Sequence, residues 1–439
     1  MLIAVVAVLH VLVSFYAVGG GLFLAYETTY AYRSGNAAYL DYLRRHARFF
    51  VVLTVVYGAV TGVGIWWTIG LASPLATQVL IHTFLFAWAT EYVFFVLEVV
   101  SAFAFYYYWG RLSPSAHQAV GWIYAFAAWM SLVLITGITA FMLNPGDWTE
   151  RLDFWSAFFN PQFVPQTVAR SGGSLVLATL YVYLHAAFTV KDDSLRGVIE
   201  FRSARPALLG AVLIVAGGIG WLAFLPPSAQ AALAAASTLN ILTVLIFAVT
   251  AGIFALLYVG PYRNPGWLSP GFALVLFVLG LSAVGTGEFI REAVRKPYVI
   301  YNVVLGNQIT VDQVDQLRRT GYLDGGIWTR AYVAANYPQV MKGGHVDQNE
   351  ILKLPESDQV RLGELIFQYH CNDCHSPQGG YSAVDQLMVG WTPEMVGLMV
   401  RNLEKGRFFM PPWAGTDAEA QLITKYLLTI APPRPPGMR

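Results

Sequence analysis

Eight long apolar stretches follow one another up to residue 294, and none comes after. They lie near 2–27, 49–70, 77–108, 118–143, 172–190, 206–226, 235–259 and 271–294. A bilayer core about 30 Å thick is crossed by about 20 helical residues at 1.5 Å each, so each stretch predicts one spanning helix. Beyond residue 300 the pattern changes. Residues 301–354 read as a connector, in which Thr310 and Gln313 of "TVDQVDQL" are spaced as a capping box and "MKGGH" reads as a turn carrying a surface histidine, His345. Residues 355–439 read as a small helical domain ending in the proline-rich "APPRPPGMR". The expected architecture is all-α: a polytopic membrane bundle over 1–300, the connector, and the small domain.

Charge in the connections orients the bundle. The first carries Arg33, Arg44, Arg45 and Arg48, the third Arg111, the fifth Lys191, Arg196, Arg202 and Arg205, and the seventh Arg263. The even connections are poor in cations: none in "GLASPLA" or around "PPSAQA", and only Arg151 and Arg170 in the long fourth. Cytoplasmic loops collect Lys and Arg, so the odd connections are expected inside and both termini outside. The first cation is Arg33, so residues 1–26 lack the basic start of a signal peptide and read as a retained span.

Composition agrees with this reading. Hydrophobic residues make up 56% and charged residues 12%, whereas a soluble domain is about a quarter charged. A net charge of +1 points to no nucleic-acid partner.

The only two cysteines, Cys371 and Cys374, fall in "CNDCH", followed directly by His375. Two thiols three apart with a following histidine suit covalent haem attachment, with His375 against one face of the iron. A zinc site needs four ligands, and no second cysteine pair exists. A redox dithiol would not require His375. The second axial ligand is expected downstream, and "RFFMPPWAG" offers Met410 in a loop stiffened by Pro411 and Pro412. Met388, Met395 and Met399 are rivals, the last two in a helix-like run. A thioether opposite histidine raises the reduction potential. From first helix to last, 355–430 resembles a class I cytochrome c. Such a haem is attached outside the cytoplasmic membrane, where the charge count independently places Cys371.

Ionisable residues inside spans are few and call for a reason. His10 sits about 10–14 Å below the outer surface, and His82 and Glu288 fall at a similar depth by sequence. Each histidine could simply bond a carbonyl, but three donors at one level suggest a haem. Glu91 and Glu98, seven apart, share one helix face deeper in the third span. Buried carboxylates without an adjacent cation suit proton relay; the plainer reading is two protonated glutamates bonded to neighbouring helices. Glu288, Arg291, Glu292 and Arg295 make a charged stripe at i, i+3, i+4 and i+7. It is either a set of intrahelical ion pairs or arginines placed for haem propionates.

The order of segments, the early His10, "AYETTYAYRSG", "FFVLEVVSAFAFYYYWGRL" and "RKPYVIYNVVL" resemble subunit I of cytochrome bd quinol oxidases over roughly 1–306. The resemblance implies an eight-helix haem core with its active haem near the outer face and His10 as a haem ligand. It also implies Glu98 as the second glutamate of a proton path, with Thr90 at the place of the first and Glu91 beside it. Arg295, Pro297 and Tyr298 match the family's Arg-Gln-Pro-Trp signature. The departures are specific. Ala169 or Arg170 stands where the family's low-spin haem b takes a histidine, and 235–259 contains no methionine for its other ligand. "LPPSAQAAL" replaces the long quinol loop, and Gly285 aligns with a haem-ligating glutamate, with Glu288 one turn on.

These readings lead to a respiratory electron-transfer protein of a bacterial cytoplasmic membrane. One covalent haem c lies on the periplasmic or outer side, and one or more haem b or d lies within the bundle. The expected partners are other membrane subunits of a respiratory complex, a periplasmic electron-transfer protein and the lipid bilayer. A cytochrome c-linked oxygen reductase, with Glu91 and Glu98 delivering protons, is one alternative. A scaffold carrying only haem c is another.

Overall fold

The structure is a computed structural model that describes residues 2–432. Its contacts divide the chain into two units, Met1–Val294 and Arg295–Arg439. The tail 433–439 lies outside the described residues.

The first unit is a helical bundle. Helix α1 (Leu2–Ser34) is followed by α2 (Ala37–Val51), which runs through a π-helical turn, Val52–Tyr57, into α3 (Gly58–Ala72). Then come the short α4 (Pro74–Thr83), α5 (Leu85–Tyr107), α6 (Pro114–Phe141), two small helices α7 (Trp148–Arg151) and α8 (Phe154–Phe158), and α9 (Phe163–Thr189). The unit closes with α10 (Asp193–Ala223), α11 (Pro227–Ala235), α12 (Ser237–Leu257) and α13 (Pro270–Arg295). Eight of its helical stretches are long and apolar enough to cross a membrane, from Ile3–Ser34 to Pro270–Arg295. Helix α9 is the most enclosed span and α5 and α12 are among the least, so α9 is the axis of the bundle and α5 lies at its rim. Tyr16, Tyr42, Leu43, Leu177, Leu180 and Tyr183 form the centre of the core where α1, α2 and α9 meet.

The structure changes two expectations. Arg33, Arg44, Arg45 and Arg48 do not lie in a loop: the first connection shrinks to Gly35–Asn36, and the cations ride on continuations of α1 and α2. Asn36 caps α2 by accepting the Tyr39 N–H at 2.9 Å, and Gly35 takes the left-handed φ of +62° that the tight turn demands. The third stretch is two helices, broken at Phe84. His82 therefore sits at the end of α4, exposed and before the candidate span Leu85–Tyr107.

The second unit opens with a two-stranded pair, β1 (Tyr298–Ile300) and β2 (Val304–Leu305), then α14 (Gln313–Thr320), α15 (Tyr322–Gly325) and α16 (Thr329–Asn336). A hairpin, β3 (Met341–Lys342) and β4 (His345–Val346), turns at Gly343–Gly344. The rest is α17 (Glu356–His370), α18 (Val384–Leu387), α19 (Pro393–Arg401), α20 (Leu403–Gly406) and α21 (Asp417–Ile430). The segment 301–354 does not hang between units as a linker. Leu305, Val314, Leu317, Tyr322 and Val333 share one core with Leu365, Phe367, Ile423 and Leu427 of α17 and α21. Glu419 fastens the two parts. It completes a capping box with Thr416 at the start of α21 and accepts the N–H groups of Tyr322 (2.8 Å) and Leu323 (2.7 Å). Gly321 is required there: its φ is +83°, and a Cβ would stand 2.4 Å from Glu419 Oε1.

Candidate functional site

In the second unit, α17 ends at His370 and the chain makes one more turn, with Cys374 N–H and His375 N–H both donating to the Cys371 carbonyl (3.1 and 2.9 Å). That turn brings Cys371, Cys374 and His375 together from adjacent positions. The loop after it is pinned at both ends, Val384 N–H to Ser376 O (3.0 Å) and Asp385 N–H to Pro377 O (3.2 Å). Within it Ser382 adopts a left-handed φ of +54°, and its carbonyl accepts the His375 Nδ1–H at 2.8 Å. His375 is thus held by Nδ1 and leaves Nε2 open, the usual preparation of a metal-binding imidazole.

The cysteines favour one chemistry. Burial pushes the Cys371 thiol up to about 12. A redox dithiol or a zinc thiolate needs the opposite shift, towards a stabilised thiolate. Among the described residues no group of three His, Cys, Asp or Glu side chains gathers to hold a metal ion. Two neighbouring thiols, that of Cys371 held protonated, beside an imidazole with a free Nε2 fit a covalently attached haem.

Met410 lies half-buried in the loop between α20 and α21, its N–H bonded to Arg407 O at 2.9 Å. Met388 is buried in the core, Met395 is 48% exposed, and Met399 packs against Gly406. The end of the Met410 loop is tied to the segment read as a connector. Ala414 N–H donates to Tyr322 Oη (3.0 Å), and the Trp413 ring packs 5.2 Å from Tyr322 and 5.4 Å from His370. Tyr322 Oη and Asn307 Nδ2 both meet His370 Nδ1. Burial pushes His370 down to about 4, so it is a neutral acceptor at neutral pH. None of Asn307, Tyr322, His370 or Trp413 is marked by a sequence motif; the spacing of Thr416 and Glu419 in "TDAE", that of a capping box, is the one signal that could have pointed to the network.

In the first unit, His10 on α1 turns Nδ1 to Thr61 Oγ1 at 3.1 Å. The Thr61 hydroxyl donates to the carbonyls of Tyr57 (2.9 Å) and Gly58 (3.1 Å), so its lone pairs take the His10 Nδ1–H. Again Nε2 is left open. The Cε1 edge of the ring comes close to α3 where position 62 is glycine: a Cβ there would stand 3.2 Å from His10 Cε1. These residues fit an imidazole ligand to a non-covalent haem.

Glu91 and Glu98 stand on α5, and Ser131 of α6 lies beside both carboxylates. Glu288 accepts two N–H bonds from Arg291, at 2.9 and 2.7 Å, which commits its Oε2. Arg170 lies within electrostatic reach of both and is held by the hydroxyls of Thr136 (3.2 Å) and Thr139 (2.9 Å). The stripe on α13 therefore contains an ion pair and draws in Arg170 from α9. His82 does not join His10: it borders an open hollow with Gly70, Pro74, Thr77, Gln78 and Ile81.

Comparison with known proteins bears on both units. Residues 1–225 match the model of cytochrome bd terminal oxidase subunit I, and residues 358–427 match that of cytochrome C oxidase, cbb3-type, subunit III. No curated protein matches the chain. A bd oxidase from Geobacillus thermodenitrificans is similar in structure, with a TM-score of 0.56 at 18% identity over 68% of this chain and 86% of that one. At that identity the likeness concerns the fold. The two matches imply a covalent haem c in the second unit and a haem of b or d type in the first, in a membrane protein of electron transfer. The bd model spans 225 of 439 residues, and the chain belongs to the cytochrome bd terminal oxidase subunit I family, carrying a c-type cytochrome domain at its C-terminal end.

Proposed function

We propose that this chain passes electrons between a haem c in the second unit and a non-covalent haem at His10, as one subunit of a larger respiratory complex. One observation carries the reading. His375 and His10 are both fixed through Nδ1 to an oxygen and both keep Nε2 free, so each unit holds one imidazole prepared for iron. Cys371 and Cys374 would anchor the haem c, and His375 and Met410 would hold its iron. Arg291 and Arg295 supply cations for propionates at the end of α13. Glu288, already bonded to Arg291, serves as its counter-charge rather than as an iron ligand, and His82 stays outside the site. The bound haems supply one-electron redox chemistry; the protein orients them and sets their surroundings.

The cation-rich side faces the cytoplasm and haem c faces the periplasm. Reporter fusions at Arg48, Arg202 and Arg263 should then read cytoplasmic and one after Lys353 external; a cytoplasmic signal from the last would reverse the orientation. A fusion after Arg439 would report from outside the described residues.

Glu91 and Glu98 with Ser131 support a second version, in which the same chain reduces oxygen and the glutamates carry protons. A pyridine haemochrome spectrum of the purified complex counts haems of each type. Oxygen uptake with reduced cytochrome c then separates the versions. One covalent haem per chain and no other would leave a scaffold and end both.

A further inference from the structure

A buried titratable cluster of the first unit lies away from His10, where α1, α2 and α9 meet. His46 of α2 is fully buried, and its Nδ1 stands 3.1 Å from Nδ1 of His185 on α9. Its other nitrogen, Nε2, stands 3.0 Å from the hydroxyl of Tyr16 on α1, also fully buried. The cluster is enclosed by Tyr42 and Phe49 of α2, Phe23 of α1 and Tyr181 of α9. The charged group facing it is Arg45, beside His185 and paired with Asp41 at 3.0 Å.

Three bonded groups in a row constrain one another. Two Nδ1 atoms in contact require one to carry hydrogen and the other to accept. Only two settings satisfy both contacts with every group neutral. In the first, His185 Nδ1–H donates to His46 Nδ1, and His46 Nε2–H donates to Tyr16 Oη. In the second, Tyr16 Oη–H donates to His46 Nε2, and His46 Nδ1–H donates to His185 Nδ1. A proton arriving at His185 Nε2 converts the first into the second: His185 passes its Nδ1 proton to His46 Nδ1, His46 passes its Nε2 proton to Tyr16, and Tyr16 releases its own hydroxyl proton. No charge stays on the buried groups, and a second proton can follow only after both imidazoles have regained their first tautomers and the tyrosine hydroxyl has turned back. Asn or Gln could bridge here by packing alone, but neither can be rewritten in this way.

The His185 end of the row lies near the surface, and the Tyr16 end lies near the glutamates without a direct hydrogen bond to them. His185 is half-buried, four residues before α9 ends at Thr189, on the side that carries Lys191 and Arg196. Tyr16 is within electrostatic reach of Tyr124 of α6, which in turn is within reach of Glu98. Tyr124 anchors to α1 through the Ala17 carbonyl at 3.1 Å.

We propose that His185, His46 and Tyr16 form a proton relay that feeds the Glu98–Glu91 pair, by way of Tyr124, from the cation-rich side of the membrane. The proposal rests on the reading that a non-covalent haem sits at His10. An electron placed on that haem adds charge to a poorly polarisable interior, and a proton added to the Glu98 carboxylate offsets it. Electron and proton then enter from opposite faces.

The test is flash photoreduction of the purified, haem-loaded full chain by a ruthenium–bipyridyl dye. Haem reduction is followed by absorbance, and proton uptake by phenol red in weak buffer. In the wild type one proton should follow each electron to the non-covalent haem. Tyr16→Phe and His46→Gln should slow uptake at least tenfold while the non-covalent haem is retained. His185→Gly, at the accessible end, should be equally slow and recover on adding imidazole, which a packing role would not produce. Wild-type rates in Tyr16→Phe and His46→Gln, absence of uptake in the wild type, or no imidazole rescue of His185→Gly would overturn the relay. Loss of haem from the two buried variants leaves the decision to His185→Gly. A haemochrome assay showing only covalent haem would instead refute the reading on which the relay depends, before any flash is fired.

Discussion

His375 and His10 are the same device built in two solvents. Each imidazole is fixed through Nδ1, but from different elements: His375 at the carbonyl and hydroxyl of Ser382 in a loop, His10 at the hydroxyl of Thr61 on a helix, with the Gly58 carbonyl also in reach. Inside a span the carbonyls belong to the helix ladder, because no water is present to satisfy N–H groups that lose them. A threonine that leans on its own helix, as Thr61 does on Tyr57 and Gly58, supplies an acceptor without breaking that ladder. A loop such as 376–384 has carbonyls to spare, and one left-handed residue, Ser382, aims one of them. The comparison teaches that the aqueous site orients its imidazole from a loop, whereas the membrane site does so from a helix whose threonine leaves the ladder intact.

The largest test removes one device and leaves the other. Cys371→Ala should abolish covalent haem, so that haem stain no longer follows the chain on a denaturing gel, while the first unit still inserts in the membrane. Stain that persists would mean that the attachment assignment is wrong. The reciprocal change, His10→Ala, should remove one non-covalent haem and leave haem c, read as the b- or d-type band of a haemochrome spectrum. Thr61→Val should weaken the same site without abolishing it, because the ring loses its guide but keeps Nε2. Loss of the outer acceptor of a metal-binding histidine typically costs about 10–100-fold in affinity. His82→Ala should cost less, since His82 borders a separate hollow with Gly70 and Pro74; equal loss from His82→Ala and His10→Ala would sink the assignment.

A smaller effect is expected at the second axial position. Met410→His replaces a thioether by a more basic imidazole and should lower the haem c potential while the haem stays attached. An unchanged potential in a redox titration would shift attention to Met388, the buried rival.

The two regions also differ in how far they were legible. Cys-x-x-Cys-His and Met-Pro-Pro are local patterns, and eight apolar stretches give eight spans with few choices to make. What the sequence hid is what only packing creates. His46 reads as one more residue of the cation-rich "LRRHARFF", because the helix was expected to start only at the membrane; α2 begins at Ala37 and carries His46 into the core. The break at Phe84 was hidden for the converse reason: it falls inside an apolar stretch that has neither Gly nor Pro to announce it. The segment 301–354 carries little long apolar pattern, yet Tyr322 and Asn307 bond His370 beside Cys371, contacts that no spacing rule predicts.

The smallest predicted effect separates the two interiors by titration. The second unit buries two groups whose pKa values move oppositely, and both answer to bulk pH once the unit unfolds. Burial pushes Glu419 up to about 7 and His370 down to about 4, from ordinary values of 4.5 and 6.5. Folded Glu419 holds a proton that the unfolded chain has released, so its contribution falls as pH rises from 4.5 to about 7. Folded His370 lacks a proton that the unfolded chain holds, so its contribution rises between about 4 and 6.5. Across the shared window the slopes oppose each other, and the wild-type unit should show little pH dependence. Glu419→Gln removes one slope only. The amide keeps a single acceptor, so one of the bonds to Tyr322 and Leu323 is lost, at about 1–3 kcal/mol, and the remaining stability should climb with pH as His370 alone titrates. Denaturant unfolding of the full chain, followed by the haem c absorption band at several pH values, reads both effects. A Glu419→Gln variant as flat as the wild type would show that the two groups do not titrate against each other, and that the buried network of the second unit is held as independently of water as the one around Tyr16.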